Sequence, residues 1–197
     1  MLDIQDDKAL IISKYILTVN QYDKLEAKFG VVWKDSEIRK WLNEDFLKEA
    51  FTKDEQKAIL LSDIPNLDND ATGADAGADT KDKVFFLSMD EANQYFKDDE
   101  DRVAWIKMNQ DDIDFTMHIW KTERKADQNM LNNLEKKLNE DYLNGSRQSW
   151  WSWWLRSPGY ERDMAAIVDI SGRVITDGDY VYYDNGVRPA LYINLKF

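Results

Sequence analysis

The sequence contains no cysteine, a single histidine and no long hydrophobic run, and each absence excludes a class of protein. Without cysteine the chain forms neither disulfides nor thiolate metal sites, and it has no cysteine nucleophile. His118 alone does not supply the several imidazoles of a multi-histidine metal centre. No apolar run approaches the roughly 20 residues that a membrane-spanning helix needs.

Positive charge is scarce as well. The 26 lysines and arginines are outnumbered by 38 acidic residues, which gives a net charge of −12. Binding to a nucleic-acid backbone requires clustered cations, so the composition argues against a nucleic-acid partner. The first seven residues are acidic and lack the basic and then apolar order of a signal peptide. We therefore expect a cytoplasmic protein without a membrane partner, with export inside a longer chain as the alternative.

The chain of 197 residues, 43% hydrophobic and 13% aromatic, has the composition of a folded globule. Its acidic excess lies within residues 1–145, because residues 146–197 hold six cations and six acids. Five of the eight arginines lie in that C-terminal part, but only one lysine does. Arginine suits packed positions with several hydrogen bonds, which indicates a structurally demanding C-terminal segment.

Local patterns predict strands and capped helices in the N-terminal half. Residues 9–12 and 15–17 are short apolar runs suited to buried strands. Asp35 or Ser36 can cap an amphipathic helix, and Thr52 with Glu55 forms a capping box for a helix through residue 61. The apolar face of the first helix consists of Ile38, Trp41, Leu42 and Phe46.

The middle of the chain alternates between loops and further elements. Residues 66–82 are rich in Asp, Ala and Gly and predict a surface loop, and residues 84–87 predict a strand. Ser88 and Glu91 form a second capping box, and the acidic residues 98–101 are expected to be exposed. A long helix is predicted over residues 122–143, with an apolar stripe of Met130, Leu131, Leu134, Leu138 and Tyr142.

Four tryptophans lie between residues 150 and 154. After them the hydrophobic pattern of the sequence has a period of two residues, which is typical of strands. Strands are predicted at residues 165–170, 173–176, 180–183 and 190–195. The turns between them are predicted at Ser171-Gly172, at Asp177-Gly178 and at Asp184-Asn185-Gly186. This spacing predicts a self-contained antiparallel meander, with the acidic N-terminal part packed around it.

Two C-terminal motifs, WWLRSPG (residues 153–159) and GVRPAL (residues 186–191), resemble a bacterial domain family of unknown function. Residues 12–17, the helix that starts near residue 36 and residues 82–88 also match its usual layout. Residues 102–148 stand where the family usually has a short link. The ending is similar, more distantly, to the C-type-lectin-like fold of formylglycine-generating enzymes and phage receptor-binding domains.

The resemblance implies an α+β fold, C-type-lectin-like, with helices packed on a twisted antiparallel sheet and long loops that present a binding surface. We expect one domain over residues 1–197. It comprises a helix-rich part (1–101), a divergent helical insertion (102–148) and the Trp motif with its meander (149–197). The catalytic relatives of this fold use cysteines or several histidines, which this chain lacks, so no catalytic residue and no enzymatic activity are predicted.

Three groups of residues are candidate sites. Trp150, Trp151 and Trp153 could stack on a ligand, although packing in the core is the favoured alternative. Arg156 and Arg188 could bind an anion through bidentate contacts, although tying loops together through carbonyls or a buried carboxylate is favoured. Asp68, Asp70, Thr72 and Asp79 loosely match a calcium loop, with a solvated acidic loop as the favoured alternative. Beyond calcium, no cofactor is predicted.

The favoured hypothesis is a non-catalytic module that binds a glycan or a protein through loops around the Trp motif and the Asp-rich segment. An assembly component that uses its acidic face and the 122–143 helix is the first alternative. A hydrolase that acts through a pair of carboxylates is the second.

Overall fold

The second and the last strands of the chain pair with each other. The computed structural model describes residues 1–24, 30–107 and 148–196, with the isolated positions 128, 129 and 132. In these residues it is a mixed α+β structure with several small sheets and short helices. No helix among them is long and apolar enough to cross a lipid bilayer.

Twelve strands are present in the described residues. Most are only three to five residues long, which fits a chain in which turns and loops alternate with short apolar runs. They are β1 (Asp3–Gln5), β2 (Lys8–Ile12), β3 (Thr18–Gln21), β4 (Ser62–Ile64), β5 (Thr80–Asp82), β6 (Trp105–Lys107), β7 (Gln148–Trp150), β8 (Trp153–Pro158), β9 (Met164–Val168), β10 (Val174–Tyr180), β11 (Asp184–Val187) and β12 (Ala190–Asn194).

Three helices of the described residues begin at predicted caps. The hydroxyl of Ser36 accepts from Arg39 N, and both capping boxes, Thr52 with Glu55 and Ser88 with Glu91, are confirmed. A 3₁₀ turn (Trp33–Asp35) precedes the first helix, and a π-helical stretch (Leu42–Phe46) joins the first helix to the second. The helices are α1 (Glu37–Trp41), α2 (Leu47–Ala50), α3 (Lys53–Ala58), α4 (Met89–Tyr95) and α5 (Asp99–Arg102).

The central sheet has the strand order β10-β9-β8-β11-β3. Strands β8, β9 and β10 form an antiparallel meander, and the predicted turn at Ser171-Gly172 is confirmed between β9 and β10. Strand β11 then crosses to the other side of β8, where it runs parallel to it at Gly186 and Trp153. The prediction of one continuous meander through residue 195 is therefore wrong after β10.

The C-terminal part is not self-contained. Strand β3 from the N-terminal part pairs with β11, and β12 leaves the central sheet to pair with β2 in a second sheet of order β1-β2-β12. The chain thus closes on itself through two long-range pairings. The N-terminal part supplies strands to both sheets, whereas it was predicted to pack around a self-contained meander.

Several predicted boundaries are wrong at the level of single elements. The strand predicted at residues 15–17 begins three residues later, as β3 at Thr18, and of the predicted residues only Ile16 forms an isolated bridge. Residues 84–87 form no strand beyond the bridge of Phe85 to Ala190, although all four are buried. Asp177-Gly178 lies inside β10 at a register shift, and Asp184-Asn185-Gly186 lies in β11. The helix from Lys53 ends at Ala58, and Leu61 is exposed.

A core of aromatic and aliphatic side chains lies between the sheets and the helices. Trp33, Trp153 and Trp154 are among its largest fully buried members. The ring of Trp154 lies 5.4 Å from that of Tyr22, and the ring of Trp153 lies 6.4 Å from that of Phe96. Burial of such rings contributes more apolar area per residue than any aliphatic side chain, so these contacts dominate the core.

Some predictions fall outside the described residues. These are the 122–143 helix with its apolar stripe, most of the insertion at 102–148, and His118. Strands β6 and β7 pair antiparallel across this segment, with Lys107 opposite Gln148. The exposure of the acidic residues 98–101 is confirmed, and they begin the short helix α5.

Candidate ligand-binding cleft

A cleft of about 580 Å³ opens where three loop segments meet. Its walls come from residues 30–35, from the Asp-rich loop at 72–77 and from the turn that follows the WWLRSPG motif at 158–162. Residues 30–35 and 72–77 belong to the N-terminal part, whereas 158–162 belong to the C-terminal part. The cleft therefore exists only because the fold brings distant segments together.

Asn69 holds the Asp-rich loop against the turn after the Trp motif. Its side-chain amide donates to the carbonyl oxygens of Pro158 (2.8 Å) and Thr176 (2.9 Å), and its Oδ1 accepts from Ala71 N. Asn69 is completely buried. A second bond, from the Thr72 hydroxyl to Gly159 O (3.2 Å), supports the same contact. Residues 66–82 are thus a docked loop with buried anchors rather than a wholly solvated one.

The opposite wall is anchored by Trp33 and Asp82. The indole N–H of Trp33 donates to Asp82 Oδ2 (2.9 Å), which also accepts from the Thr80 hydroxyl (2.7 Å). The other oxygen of Asp82 accepts from Arg39 Nε (2.8 Å). This buried carboxylate is paired and fully hydrogen-bonded, which is the condition under which a charge is tolerated in a core.

The wall at 30–35 also contacts the turn directly. Val31 N donates to Arg162 O (2.9 Å), so the main chain of one wall is bonded to the main chain of the other. With Asn69 on one side and Val31 on the other, the turn at 158–162 is held from both flanks. The cleft walls are therefore supported by backbone and buried side-chain bonds, which favours a preformed site.

The surface of the cleft carries exposed side chains of mixed chemistry. Tyr160 is 61% exposed at its edge. Asp35, Asp75 and Glu161 contribute carboxylates, and Arg162 contributes a guanidinium group. A ring face beside several charged groups provides both stacking and hydrogen bonding to a ligand.

A second aromatic surface continues from the same turn. The rings of Tyr180 and Tyr182 are stacked at 5.2 Å, and that of Tyr183 lies edge-on to Tyr182 at 5.0 Å. All three are half-buried. Desolvation raises the pKa of Tyr182, and the charges of Asp163 and Asp179 raise it further. We call Tyr180, Tyr182 and Tyr183 the tyrosine cluster.

The tryptophans predicted as a stacking platform are buried. Trp151 is buried, and Trp153 and Trp154 have no exposed surface. The indole N–H of Trp153 donates to Arg102 O (3.1 Å), and the indole N–H of Trp154 donates to Asn20 O (2.9 Å). Their burial favours the packing interpretation, and ligand stacking on them stays without support. The side chain of Trp150 lies outside the described structure.

Arg156 ties three segments together, as the structural alternative predicts. Its guanidinium pairs with both oxygens of Glu91, which completes the capping box of α4, and donates to Phe86 O and Pro65 O. Its exposed fraction is 3%. The loop-tying interpretation is confirmed for this residue, and an anion would have to displace Glu91 to bind here.

Arg188 is buried without a carboxylate among its described partners. It donates to Ser13 O (3.0 Å) and Arg102 O (3.1 Å), and its guanidinium carbon lies 4.9 Å from the ring of Trp153. Burial lowers the pKa of Arg188 to about 10. Bonding to backbone carbonyls was the favoured interpretation of this residue, and it is confirmed.

Three of the four predicted calcium ligands have hydrogen-bond partners within the protein. Asp68 Oδ1 accepts from Ala76 N (2.9 Å), and Asp79 Oδ1 accepts from Asn66 N (2.9 Å). Thr72 bonds to Gly159 O, and Asp70 is exposed. In the part of the chain that the structure describes, no group of three or more His, Cys, Asp or Glu side chains is placed to hold an ion. Calcium binding stays a prediction, which melting with and without millimolar calcium tests.

Sequence reasoning missed Asn69, Asp82 and the residues that line the cleft. Asn69 and Asp82 lie in a segment whose composition is typical of a solvated loop, so their burial leaves no trace in the pattern. Tyr160 has the one usable signal, because Pro-Gly predicts a turn and turns lie at the protein surface.

The chain belongs to a family described as a domain of unknown function (DUF6273), whose model matches residues 6–195. No curated protein matches the chain, and no solved structure does. The match spans both C-terminal motifs and the strands of the N-terminal part. The expected membership in a family without assigned activity is confirmed, and the cleft must be interpreted from its own geometry.

Proposed function

We propose that this protein is a non-catalytic binding module that holds a glycan or protein ligand in the cleft between residues 30–35, 72–77 and 158–162. The observation that carries the proposal is the docking of the Asp-rich loop onto the turn after the Trp motif by Asn69. This contact joins the two regions around which a binding surface was expected, and it creates a cleft of about 580 Å³.

The size and support of the cleft favour a binding role. Ligand sites in proteins typically occupy about 300–1,000 Å³ and are largely preformed. Here the walls are fixed by bonds from the buried side chains of Trp33 and Asn69, while Tyr160 and the charged lining side chains remain exposed. An exposed tyrosine ring with carboxylates nearby suits the faces and hydroxyls of a sugar as well as a peptide segment.

The finer fold assignment belongs to the same proposal. A C-type-lectin-like arrangement is supported by the mostly antiparallel central sheet and by the irregular segments that build the cleft. An experimental structure compared with lectin-like domains tests it. If the strand order of those domains differs from that of this protein, the C-type-lectin-like assignment is refuted. The proposed cleft would not be affected by that result.

Screening on glycan and peptide arrays tests the binding function, with a variant that fills the cleft. Ala74→Trp places an indole in the cleft wall, whereas Ala71→Trp adds the same group to an exposed neighbour outside it. We expect a ligand that binds the natural protein and the Ala71 variant but not the Ala74 variant. Tyr160→Ala should weaken the same ligand. Equal binding by all four proteins would contradict a site in this cleft.

A carboxylate-dependent hydrolase is the second candidate, because Asp35, Asp75 and Glu161 reach the cleft from three different segments. Prolonged incubation with any ligand found on the arrays separates the two functions. Recovery of intact ligand supports binding alone. Cleavage that is lost in Asp35→Asn or Glu161→Gln would instead support the hydrolase.

The assembly alternative depends on the 122–143 helix, which lies outside the described residues. Because Lys107 and Gln148 are paired across strands β6 and β7, residues 108–147 can be replaced by a two-residue turn. A monomeric, folded product from an oligomeric parent would support a role of this segment in association. An unchanged oligomeric state would argue against it.

A further inference from the structure

The electrostatic character of the cleft narrows the class of ligand. Of the charged residues that line it, Asp35, Asp75 and Glu161 are acidic and Arg162 is basic. All four are exposed. One oxygen of Asp75 accepts from Gly77 N (2.7 Å), which fixes that carboxylate at the rim. The cleft therefore has an excess of negative charge, in a chain whose net charge is −12.

The aromatic groups around the cleft suit the same kind of ligand. Tyr160 presents a largely exposed ring beside Glu161, and an aromatic face attracts an ammonium or guanidinium group. Asp163 follows Glu161 by two residues, and its main-chain oxygen accepts from Val181 N (2.9 Å). This bond places the end of the turn next to the strand residues that carry the tyrosine cluster. Asp163 and Asp179 both act electrostatically on Tyr182 there.

We propose that the ligand of the cleft is a basic peptide segment, whose lysine or arginine side chains lie against Tyr160 and the carboxylates of Asp35, Asp75 and Glu161. This inference rests on the proposed binding function and selects one of its two ligand classes. The tyrosine cluster extends the surface for cationic side chains that follow in the same segment. Attraction by the overall negative charge accelerates the encounter.

Binding of a labelled hexapeptide of alternating lysine and alanine, followed by fluorescence anisotropy at low salt, tests the inference. The cleft variant is Asp35→Asn/Asp75→Asn/Glu161→Gln. Its matched control, Glu44→Gln/Asp45→Asn/Glu49→Gln, removes the same charge from exposed residues of the π-helical stretch and α2. We expect about tenfold weaker binding by the cleft variant and a change within about twofold in the control. Arg162→Glu should strengthen binding about threefold.

Three outcomes would overturn the inference. Equal weakening in the two triple variants would show attraction by net charge alone. Equal binding of a glutamate-alanine hexapeptide would show that charge is not recognised. Loss of an array glycan in Ala74→Trp, without lysine-peptide binding by the natural protein, would refute the basic peptide and leave the binding function intact. A protein that binds no array ligand and no peptide would refute both proposals.

Discussion

Strand β8 and the turn that follows it are adjacent in sequence and opposite in character. From Trp153 to Ser157 every residue of the strand is buried, whereas Tyr160, Glu161 and Arg162 are exposed at the cleft. The motif with the most conspicuous composition thus builds the scaffold. The less conspicuous turn after it carries the surface that a ligand can reach. A rigid element that positions a functional loop is a common arrangement in binding proteins.

The largest difference in unfolding free energy is expected between substitutions of two arginines, Arg156 in β8 and Arg162 in the turn that follows it. Arg156→Met leaves Glu91 without its cation and should lower the free energy of unfolding by about 3–5 kcal/mol. Arg162→Met removes an exposed charge and should change it by less than about 0.5 kcal/mol. Urea unfolding of both variants measures the difference. Similar values for the two would mean that Arg156 does not hold α4 against the sheet.

The aromatic residues provide a comparable contrast. Trp153→Ala removes a fully buried indole and should cost about 3–5 kcal/mol of unfolding free energy. Tyr160→Ala should cost less than about 0.5 kcal/mol while weakening the ligand of the cleft. Thermal and urea unfolding measures the stability of both variants. Binding of the Tyr160 variant to the arrays measures its effect on the ligand. A large loss of stability in Tyr160→Ala would place its ring in the core.

Two glycines separate the effect of packing from that of backbone conformation. Gly172 and Gly73 have φ values of +85° and +77°, but an added Cβ would lie 1.7 Å from Asp99 O at Gly172 and in open space at Gly73. Gly73→Ala should therefore cost only about 1–2 kcal/mol of backbone strain. Gly172→Ala should cost about 3 kcal/mol more, because the backbone at Asp99 must move. Equal losses in urea unfolding would show that this contact is not formed.

The smallest effect is expected at the turn between β9 and β10. Partial burial raises the pKa of Asp169, but hydrogen bonds from Ser171 and Arg173 outweigh it and hold that pKa below its usual range. The stabilisation is therefore complete above about pH 4 and is lost as the pH falls through the lowered pKa. Asp169→Asn should cost about 1 kcal/mol at pH 6 and less at pH 3. A difference that does not shrink in acid would contradict this role.

The parts of the fold that were predicted correctly depend on short-range interactions. A capping box joins residues three positions apart, so Ser88 with Glu91 could be recognised without any tertiary structure. The turn at Ser171-Gly172 is equally local. The prediction failed at Asp184-Asn185-Gly186, which has the composition of a turn. There the close approach of Ile16 and of the residue before β8 favours a glycine inside a strand, since an added Cβ at Gly186 would lie 2.7 Å from Ile16 Cδ1 and 2.9 Å from Ser152 O.

The candidate site shows the same division. The burial of Arg156 and Arg188 followed from the preference of arginine for packed positions with several hydrogen bonds. The cleft could not be predicted, because it depends on Asn69 reaching the carbonyls of Pro158 and Thr176 across a separation of some 90–107 residues. Nothing in the local pattern around Asn69 distinguishes it from the solvated asparagine of an acidic loop.

The amino-acid sequence by itself determined an α+β protein of one family, with capped helices, a hairpin at Ser171-Gly172 and a C-terminal motif too aromatic to remain in water. These properties follow from composition and from contacts within a few residues. Tertiary structure alone decided that β11 crosses over β8, that β2 pairs with β12, and that three distant loops enclose a cleft. The physical reason is that hydrogen bonds between distant segments leave no periodic trace in the sequence.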